Sequence, residues 1–445
     1  MTALAGLIAA RIAAGGPITL ADYMADCLMH PVHGYYATRD PFGAHGDFTT
    51  APEISQMFGE LLGLCLAQAW LDQGSPARVV LAELGPGRGT LMADAMRATA
   101  RVPGFHAALS VHLVETSPHL RRVQAATLAG HAPHWHASVA TLPEAPLFLI
   151  ANEFFDALPI RQFRRVAKGW VETLVGLAPH PTPPHRGEGA GLAGTVPPAP
   201  PPDTFRASST RAPLPPLWGR DGVGGPPPMP PQLPAAGPPH PNPPHKGEGA
   251  GRIGPDRFSE PSPAAPEVAL CPGLSAPMNP PDLRHRLADT SPGDVVEHCP
   301  ALPAIVGELA TRIARHGGAA LVLDYGGWRS LGDTFQALRQ HLPVDPFAEP
   351  GLADLTAHVD FEAIARAAPP ARCSRMVAQG DLLSSLGIGT RAAKLAAGLH
   401  GDALASHAAA FHRLTDRSEM GNLFKAVALY PEGAAVPAGF SPHDA

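Results

Sequence analysis

The stretch Val79-Val80-Leu81-Ala82-Glu83-Leu84-Gly85-Pro86-Gly87-Arg88-Gly89-Thr90 decides the fold. A short apolar run ended by glycines has the length of a buried strand. The glycines permit positive φ and let a ligand approach the backbone closely. A helical pattern opens at Thr90. A strand that turns through glycines into a helix is the repeating unit of an open parallel sheet. In such sheets ligands bind at the carboxyl ends of the strands.

The flanking sequence repeats the pattern. Val111-His112-Leu113-Val114-Glu115, Leu147-Phe148-Leu149-Ile150-Ala151 and Ala319-Ala320-Leu321-Val322-Leu323-Asp324 read as further strands. Helices are expected through Leu120 and Val123, and around Ile305 to Arg315. Upstream, Thr19-Leu20-Ala21-Asp22 is a capping-box-like opening. A second helix is expected from Pro52 or Glu53, with Ile54, Met57, Phe58, Leu61, Leu62 and Cys65 on its apolar face. Short apolar strands alternating with helices predict an α/β protein whose parallel sheet is covered on both faces.

Composition narrows the class. The chain has 445 residues, 45% hydrophobic and only 16% charged, with a formal charge of −6. That balance argues against nucleic acid as a partner. Five cysteines, none in C-x-x-C spacing, exclude a zinc ribbon, a redox dithiol and a disulfide framework, and no metal is expected. No uninterrupted apolar run is long enough to span a membrane. Residues 178–266 hold 27 of the 54 prolines and almost no large apolar side chains, so this segment is expected to be disordered. It contains a near-repeat, PHPTPPHRGEGAGLAG at 179–194 and PHPNPPHKGEGAGRIG at 239–254. A neutral loop insertion is the favoured reading, over a docking arm or a histidine metal tract.

The glycine turn is G-x-G-x-G, neither the dinucleotide G-x-G-x-x-G nor a P-loop, which needs Lys and Ser or Thr behind it. It suits a nucleoside whose tail is not a pyrophosphate, such as S-adenosylmethionine. Glu115, at the end of the second strand, can accept hydrogen bonds from two ribose hydroxyls. The third strand runs into Asn152-Glu153-Phe154-Phe155-Asp156, where two carboxylates beside two aromatics would suit a guanidinium. A structural turn, a solvated Glu115, and Glu153 and Asp156 as caps of a following helix remain the bland alternatives.

Together these pieces resemble the MidA family of class I S-adenosylmethionine-dependent methyltransferases. The matching stretches are GDFTTAPEISQMFGE at 46–60, ELGPGRGTLMAD at 83–94, VETSPHLR at 114–121 and NEFFDALPIRQF at 152–163. They continue with Asp324-Tyr325-Gly326, GDTFQALRQH at 332–341, PGLADLTAHVDF at 350–361, QGDLLSSLGIGTR at 379–391 and MGNLFKAVAL at 420–429. The resemblance implies a Rossmann-like methyltransferase fold with a seven-stranded, mostly parallel sheet and additional helical segments. It implies an N-terminal helical part over 1–75 that closes the site, a cofactor-binding half over 76–177, the insertion at 178–266, and a C-terminal part over 267–445 that completes the sheet. It implies S-adenosylmethionine as cofactor, lined by Asp47, Thr49, Glu53, Gln56, Glu83, Gly85, Gly87, Gly89 and Glu115. Asn152, Glu153 and Asp156 would stand at the methyl-transfer face, with His358 and Asp360 as candidate bases. His358 reads equally as a core histidine.

The resemblance further implies protein-arginine N-methylation of a respiratory complex I subunit or a similar protein. A different acceptor, or a non-catalytic assembly factor, stands as the alternative. A bacterial cytoplasmic location is expected, and the sequence leaves the oligomeric state open. The insertion is expected to disturb the hairpin between Trp170–Leu177 and the region before Val295.

Overall fold

The computed structural model describes residues 2–38, 50–178 and 269–443, all within one compact unit. Asp47, Thr49 and, apart from Ala178, the proline-rich segment lie outside the described residues.

Strand β1 (Val79–Leu84) is buried at every position. Val79 and Leu81 enter one core, and Val80, Ala82 and Leu84 the other. That two-sided burial is why the run shows no polar alternation. β2 (Leu109–Val114) and β4 (Leu147–Asn152) flank β1 in parallel, and β3 (His134–His136) lies parallel outside β2. A separate five-stranded sheet contains β5 (Arg161–Val166), β6 (Gly169–Leu177), β7 (Leu270–Leu274), β8 (Val295–His298) and the short strand Ile18–Thr19. β9 (Gly318–Gly327) then returns to the central sheet parallel to β4, and β10 (Phe424–Tyr430) runs antiparallel to β9.

The central path reads Arg372–Cys373, β10, β9, β4, β1, β2, β3. Those seven strands are joined by two short ones, Val359–Asp360 on β9 and Val377–Ala378 on β10, making nine. The sheet is mixed and has nine strands, where the resemblance implies seven, mostly parallel. The reason is the direction of entry: the helix Met420–Leu423 leads into β10 at Phe424, which pairs with Tyr325 near the carboxyl end of β9.

Helices α1 (Ala3–Gly15) and α2 (Leu20–Met29) share a third core with Val175 of β6 and Leu355. Thr19 caps α2: its hydroxyl accepts the Asp22 N–H at 3.0 Å and donates to the Asp22 carboxylate at 2.7 Å. The helix expected from Pro52 is two helices, α3 (Ala51–Ile54) and α4 (Gln56–Asp72). Ser55 between them is extended, and its side chain accepts the Met57 N–H as an N-cap.

α4 packs against α5 (Thr90–Thr99) so closely that a Cβ on Gly63 would lie 2.7 Å from Ala95. α6 (Pro118–Thr127) follows β2, and the opposite face of the sheet is covered by α7 (Leu302–His316) through Val306, Leu309 and Ile313. The helices α8 (Ile388–Ala396) and α9 (Gly401–Thr415) complete the first face. α8 is latched by Arg391, which with Arg97 of α5 grips the buried Glu60 carboxylate at 2.6–2.7 Å.

The hairpin bordering the insertion is regular, against expectation. β6 and β7 pair in register from Thr173 opposite Leu274 to Leu177 opposite Leu270, and the Ala178 N–H donates to the Ala269 carbonyl at 2.8 Å. The two ends of the inserted segment are therefore held side by side, as at any hairpin turn. Loop closure grows only logarithmically with length, so a long insertion is tolerated there. Replacing residues 179–268 by Asn-Gly should leave the cooperative thermal transition in place, with Tm unchanged or raised. Circular dichroism melts check this, and loss of the transition would show that the inserted residues support the fold.

Candidate active site

The glycine turn has the geometry its residues demand. Gly85, Gly87 and Gly89 all have positive φ, at 57°, 53° and 81°. Gly89 is the left-handed N-cap of α5. A Cβ on Gly85 would stand 3.0 Å from the Phe154 ring, so the backbone here is open to close approach from only one side. Glu83, one residue inside β1, is buried with Oε2 lacking any hydrogen-bond partner among the described residues. Burial pushes its carboxyl up to about 8, opposed by a hydrogen bond from the Met92 N–H.

Glu115 follows β2 directly. Its Oε1 accepts the Ser117 N–H at 2.7 Å and its Oε2 the Gln124 side-chain amide at 3.2 Å. The same Gln124 nitrogen donates to the Gly87 carbonyl at 2.8 Å, and the Trp135 indole donates to Gln124 Oε1 at 2.9 Å. Gln124 is fully buried and ties the glycine turn to the acid one strand away. It was not among the expected site residues. The signal was present, because a polar residue interrupts the Leu120, Gln124, Leu128 stripe of α6.

The N-terminal part reaches this edge at three points. Glu53 of α3 accepts the Thr90 hydroxyl at 2.6 Å, and its other oxygen lies 4.0 Å from Arg88. The break at Ser55 gives α3 its own position beside the α5 N-terminus. The Ser117 hydroxyl donates to the Tyr36 carbonyl at 3.0 Å, and the Tyr36 hydroxyl donates to Asp354 at 3.0 Å. Gln56 opens α4 and is half-buried.

At the end of β4, Asn152 donates to Glu153 Oε1 at 3.0 Å, and the Ala51 N–H donates to the same oxygen at 3.1 Å. Glu153 has φ of 50°, a left-handed conformation that costs a non-glycine residue roughly 1–3 kcal/mol. No helix follows for Glu153 or Asp156 to cap. Instead the N–H groups of Phe154, Phe155 and Asp156 all point at the buried Asp324 carboxylate. Asn152 Oδ1 and Asp156 Oδ1 are buried with no hydrogen-bond partner among the described residues. Burial, then the charge of Asp156, pushes Glu153 up to about 7. Asp156 is likewise pushed up to about 7 by burial, against a hydrogen bond from Tyr325. Arg413 of α9 acts on Glu153 electrostatically and is itself lowered, first by burial.

The two candidate bases separate. Asp360 is consumed structurally: it caps the helix Phe361–Ala367 through the Ala363 N–H at 3.0 Å and accepts the Ser330 N–H at 3.0 Å. His358 packs edge-on against the Tyr325 ring at 5.2 Å, and burial lowers its pKa. Among the described residues no cluster of His, Cys, Asp and Glu could hold a metal ion, and no helix is long and apolar enough to cross a membrane.

A family model described as "Putative S-adenosyl-L-methionine-dependent methyltransferase" matches residues 61–377. The chain belongs to that family. It is 31% identical over 453 residues to the mitochondrial protein arginine methyltransferase NDUFAF7 homolog of Drosophila melanogaster, covering 96% of this chain and 85% of the relative. The mitochondrial protein arginine methyltransferase NDUFAF7 of Homo sapiens is 30% identical over 406 residues, covering 86% of this chain and 72% of the relative. A crystal structure of a Burkholderia thailandensis protein bound to S-adenosyl-homocysteine superposes with a TM-score of 0.67 at 26% identity, covering 98% and 94% of the two chains.

S-adenosylmethionine is the methyl donor of this methyltransferase family, and the residues present fit it. The turn at Gly85 is closed to a side chain, Glu83 holds an unsatisfied buried oxygen, and Glu115 is fixed from behind by Ser117 and Gln124. Gln124→Leu removes the bridge between the turn and the acid. Affinity for S-adenosyl-homocysteine should fall about tenfold, in line with losing a hydrogen bond to a charged group. Calorimetry measures this, and unchanged affinity in a folded variant would detach Gln124 from the site.

Proposed function

We propose that this methyltransferase acts on the guanidinium group of arginine in a protein. The observation that carries the reading is the pair of buried acceptors without a hydrogen-bond partner among the described residues, Asn152 Oδ1 and Asp156 Oδ1, beside the half-buried Glu153. A guanidinium brings five donors in a plane and a permanent charge, which matches a site rich in acceptors. Relatives named protein arginine methyltransferases support the choice.

S-adenosylmethionine, when bound, supplies an already activated methyl group. The chain's part is to orient the acceptor nitrogen and exclude water, and orientation is worth up to ~7–11 kcal/mol. Asp156 and Glu153 hold positive charge on the nitrogens that do not react and leave electron density on the one that does. The reacting nitrogen loses a proton as its bond to carbon forms. A carboxyl held near 7, as in Asp156, is poised to take it. We further propose a respiratory complex I subunit as the acceptor, as the sequence resemblance implies, and a bacterial cytoplasmic location, as the Ala-, Gly-, Pro- and Arg-rich residue usage suggests.

Glu153→Gln and Asp156→Asn should retain S-adenosyl-homocysteine affinity and lose about 100-fold or more in transfer to arginine-containing protein. Amino-acid analysis for methylarginine, paired with a binding titration, reads both quantities. Full turnover in both variants, or methyl label on another side chain, would overturn the assignment.

The carboxyls also set a pH dependence. Both are raised to about 7, so both are protonated below that value and ionised above it. A cationic acceptor needs the ionised forms. kcat/KM should therefore rise with pH through about 7 and level off above it, and Asp156→Asn should shift the residual profile. A flat profile from pH 5.5 to 8.5 would remove these groups from the rate.

A further inference from the structure

A cavity of about 440 Å³ lies beside the chain that follows β4, with Phe155 and His358 in its wall. It does not include the glycine turn. Its other walls come from the turn Pro281–Leu287, the end of β8, the start of α7 and the helix Phe361–Ala367.

The hydrogen-bonding inventory of the cavity is lopsided. Its buried and half-buried acids are already engaged. Glu297 accepts the Thr334 and Phe335 N–H groups at 2.9 and 3.0 Å. Asp360 accepts the Ser330 and Ala363 N–H groups, and Glu362 is clamped by Arg329 at 2.7 and 2.8 Å. The donors are not engaged to the same degree. Arg286 is 2% exposed, and its Nε is spent on Asp289, but Nη1, paired in charge with Asp360 at 3.8 Å, has no hydrogen-bond partner among the described residues. Arg366 lines the same space at the surface and makes no hydrogen bond among the described residues. His285 lines the same space, and burial first, then Arg366 and Arg286, hold it below the ordinary imidazole range. The acid left over is Asp282, exposed at the rim and 3.9 Å from His298.

A cavity with spent acceptors and unspent guanidinium donors calls for a ligand that brings acceptors. Phe155 lines the cavity and directly precedes Asp156, so on the arginine reading such a ligand would be carried close to the methyl-transfer face. We infer that the cavity is a subsite for a carboxylate carried by the methyl acceptor, recognised by Arg286 and Arg366; this rests on the arginine reading above. The carboxylate has two sources that the chemistry alone does not separate. It is an Asp or Glu side chain near the target arginine in a polypeptide, or the α-carboxylate of a free guanidino acid.

Two measurements test the subsite. Glutarate titrated into the full-length protein loaded with S-adenosyl-homocysteine should bind saturably, with affinity falling about tenfold in Arg366→Ala and further in Arg286→Gln. Arg366 is exposed, so its variant stays interpretable if the buried Arg286 variant fails to fold. Absence of saturable uptake, or equal uptake by wild type and Arg366→Ala, overturns the inference whether or not any methylation is seen. Turnover then identifies the source. Arginine peptides with Glu or with Gln neighbours, and free arginine against argininamide, should differ in KM and not in kcat for the pair that matches. That preference should vanish in Arg366→Ala. Equal KM values within both pairs overturn the subsite, whereas failure to methylate any of the four refutes the arginine reading and leaves the glutarate result standing.

Discussion

Asp324 sits fully buried within β9, the longest strand among the described residues, and its carboxylate collects four backbone N–H groups. Oδ2 accepts from Phe154, Phe155 and Asp156 at 3.2, 2.9 and 3.3 Å, and Oδ1 from Tyr325 at 2.9 Å. Three consecutive N–H groups converging on one oxygen fix the course of the chain after β4. They hold Glu153 in its left-handed conformation, turn Phe154 against Gly85 and aim Asp156 inward. A buried carboxylate with four donors is a strong constraint, because breaking it would strand both the charge and the amides. Every feature assigned to the methyl-transfer face depends on that loop.

The constraint is electrostatically expensive. Glu153, Asp156 and Asp324 share one desolvated region, and burial drives all three upward, joined at Glu153 by the charge of Asp156 and at Asp324 by the charges of Asp156 and Glu153. Such groups lower stability as pH rises from the ordinary carboxyl range towards their folded values, since the folded state then binds more protons than the unfolded one. The rest of the fold offsets this by ordinary means. Two apolar cores enclose the sheet, and the Glu60 cluster, gripped by Arg97 and Arg391, pins α4, α5 and α8 together. The strain is thus concentrated at the edge where a cation would relieve it, as functional sites commonly arrange.

What the sequence discloses follows from what is local. β1, the glycine turn and the start of α5 are contiguous, so residue types alone specify buried strand, positive φ and helix. Glu115 and the β4 terminus are legible for the same reason, each being the last residue of an apolar run. The roles of Asp324 and Gln124 are not legible in this way. Asp324 reaches residues 154–156 only because β9 pairs with β4, with Leu323 opposite Asn152. Gln124 acquires its role when α6 packs beneath the turn. The Ser55 break is hidden because a capping serine looks, in one dimension, like a polar helical position. Asp360 misleads in the opposite sense, since an acid two residues from a histidine suggests chemistry where the chain needed an N-cap.

The two sides of Phe155 carry opposite hydrogen-bonding deficits. On one side, Asn152 and Asp156 leave buried acceptors open; on the other, Arg286 leaves a buried donor open. Native interiors rarely tolerate either, so each imbalance points outward to a ligand rather than inward to the fold. Such a ligand would present donors to the first and acceptors to the second, as a guanidinium with a carboxylate nearby does. Phe155, buried and edge-on to Phe154 at 5.2 Å, adjoins both: its N–H is held by Asp324 together with that of Asp156, and it lines the cavity that Arg286 also lines.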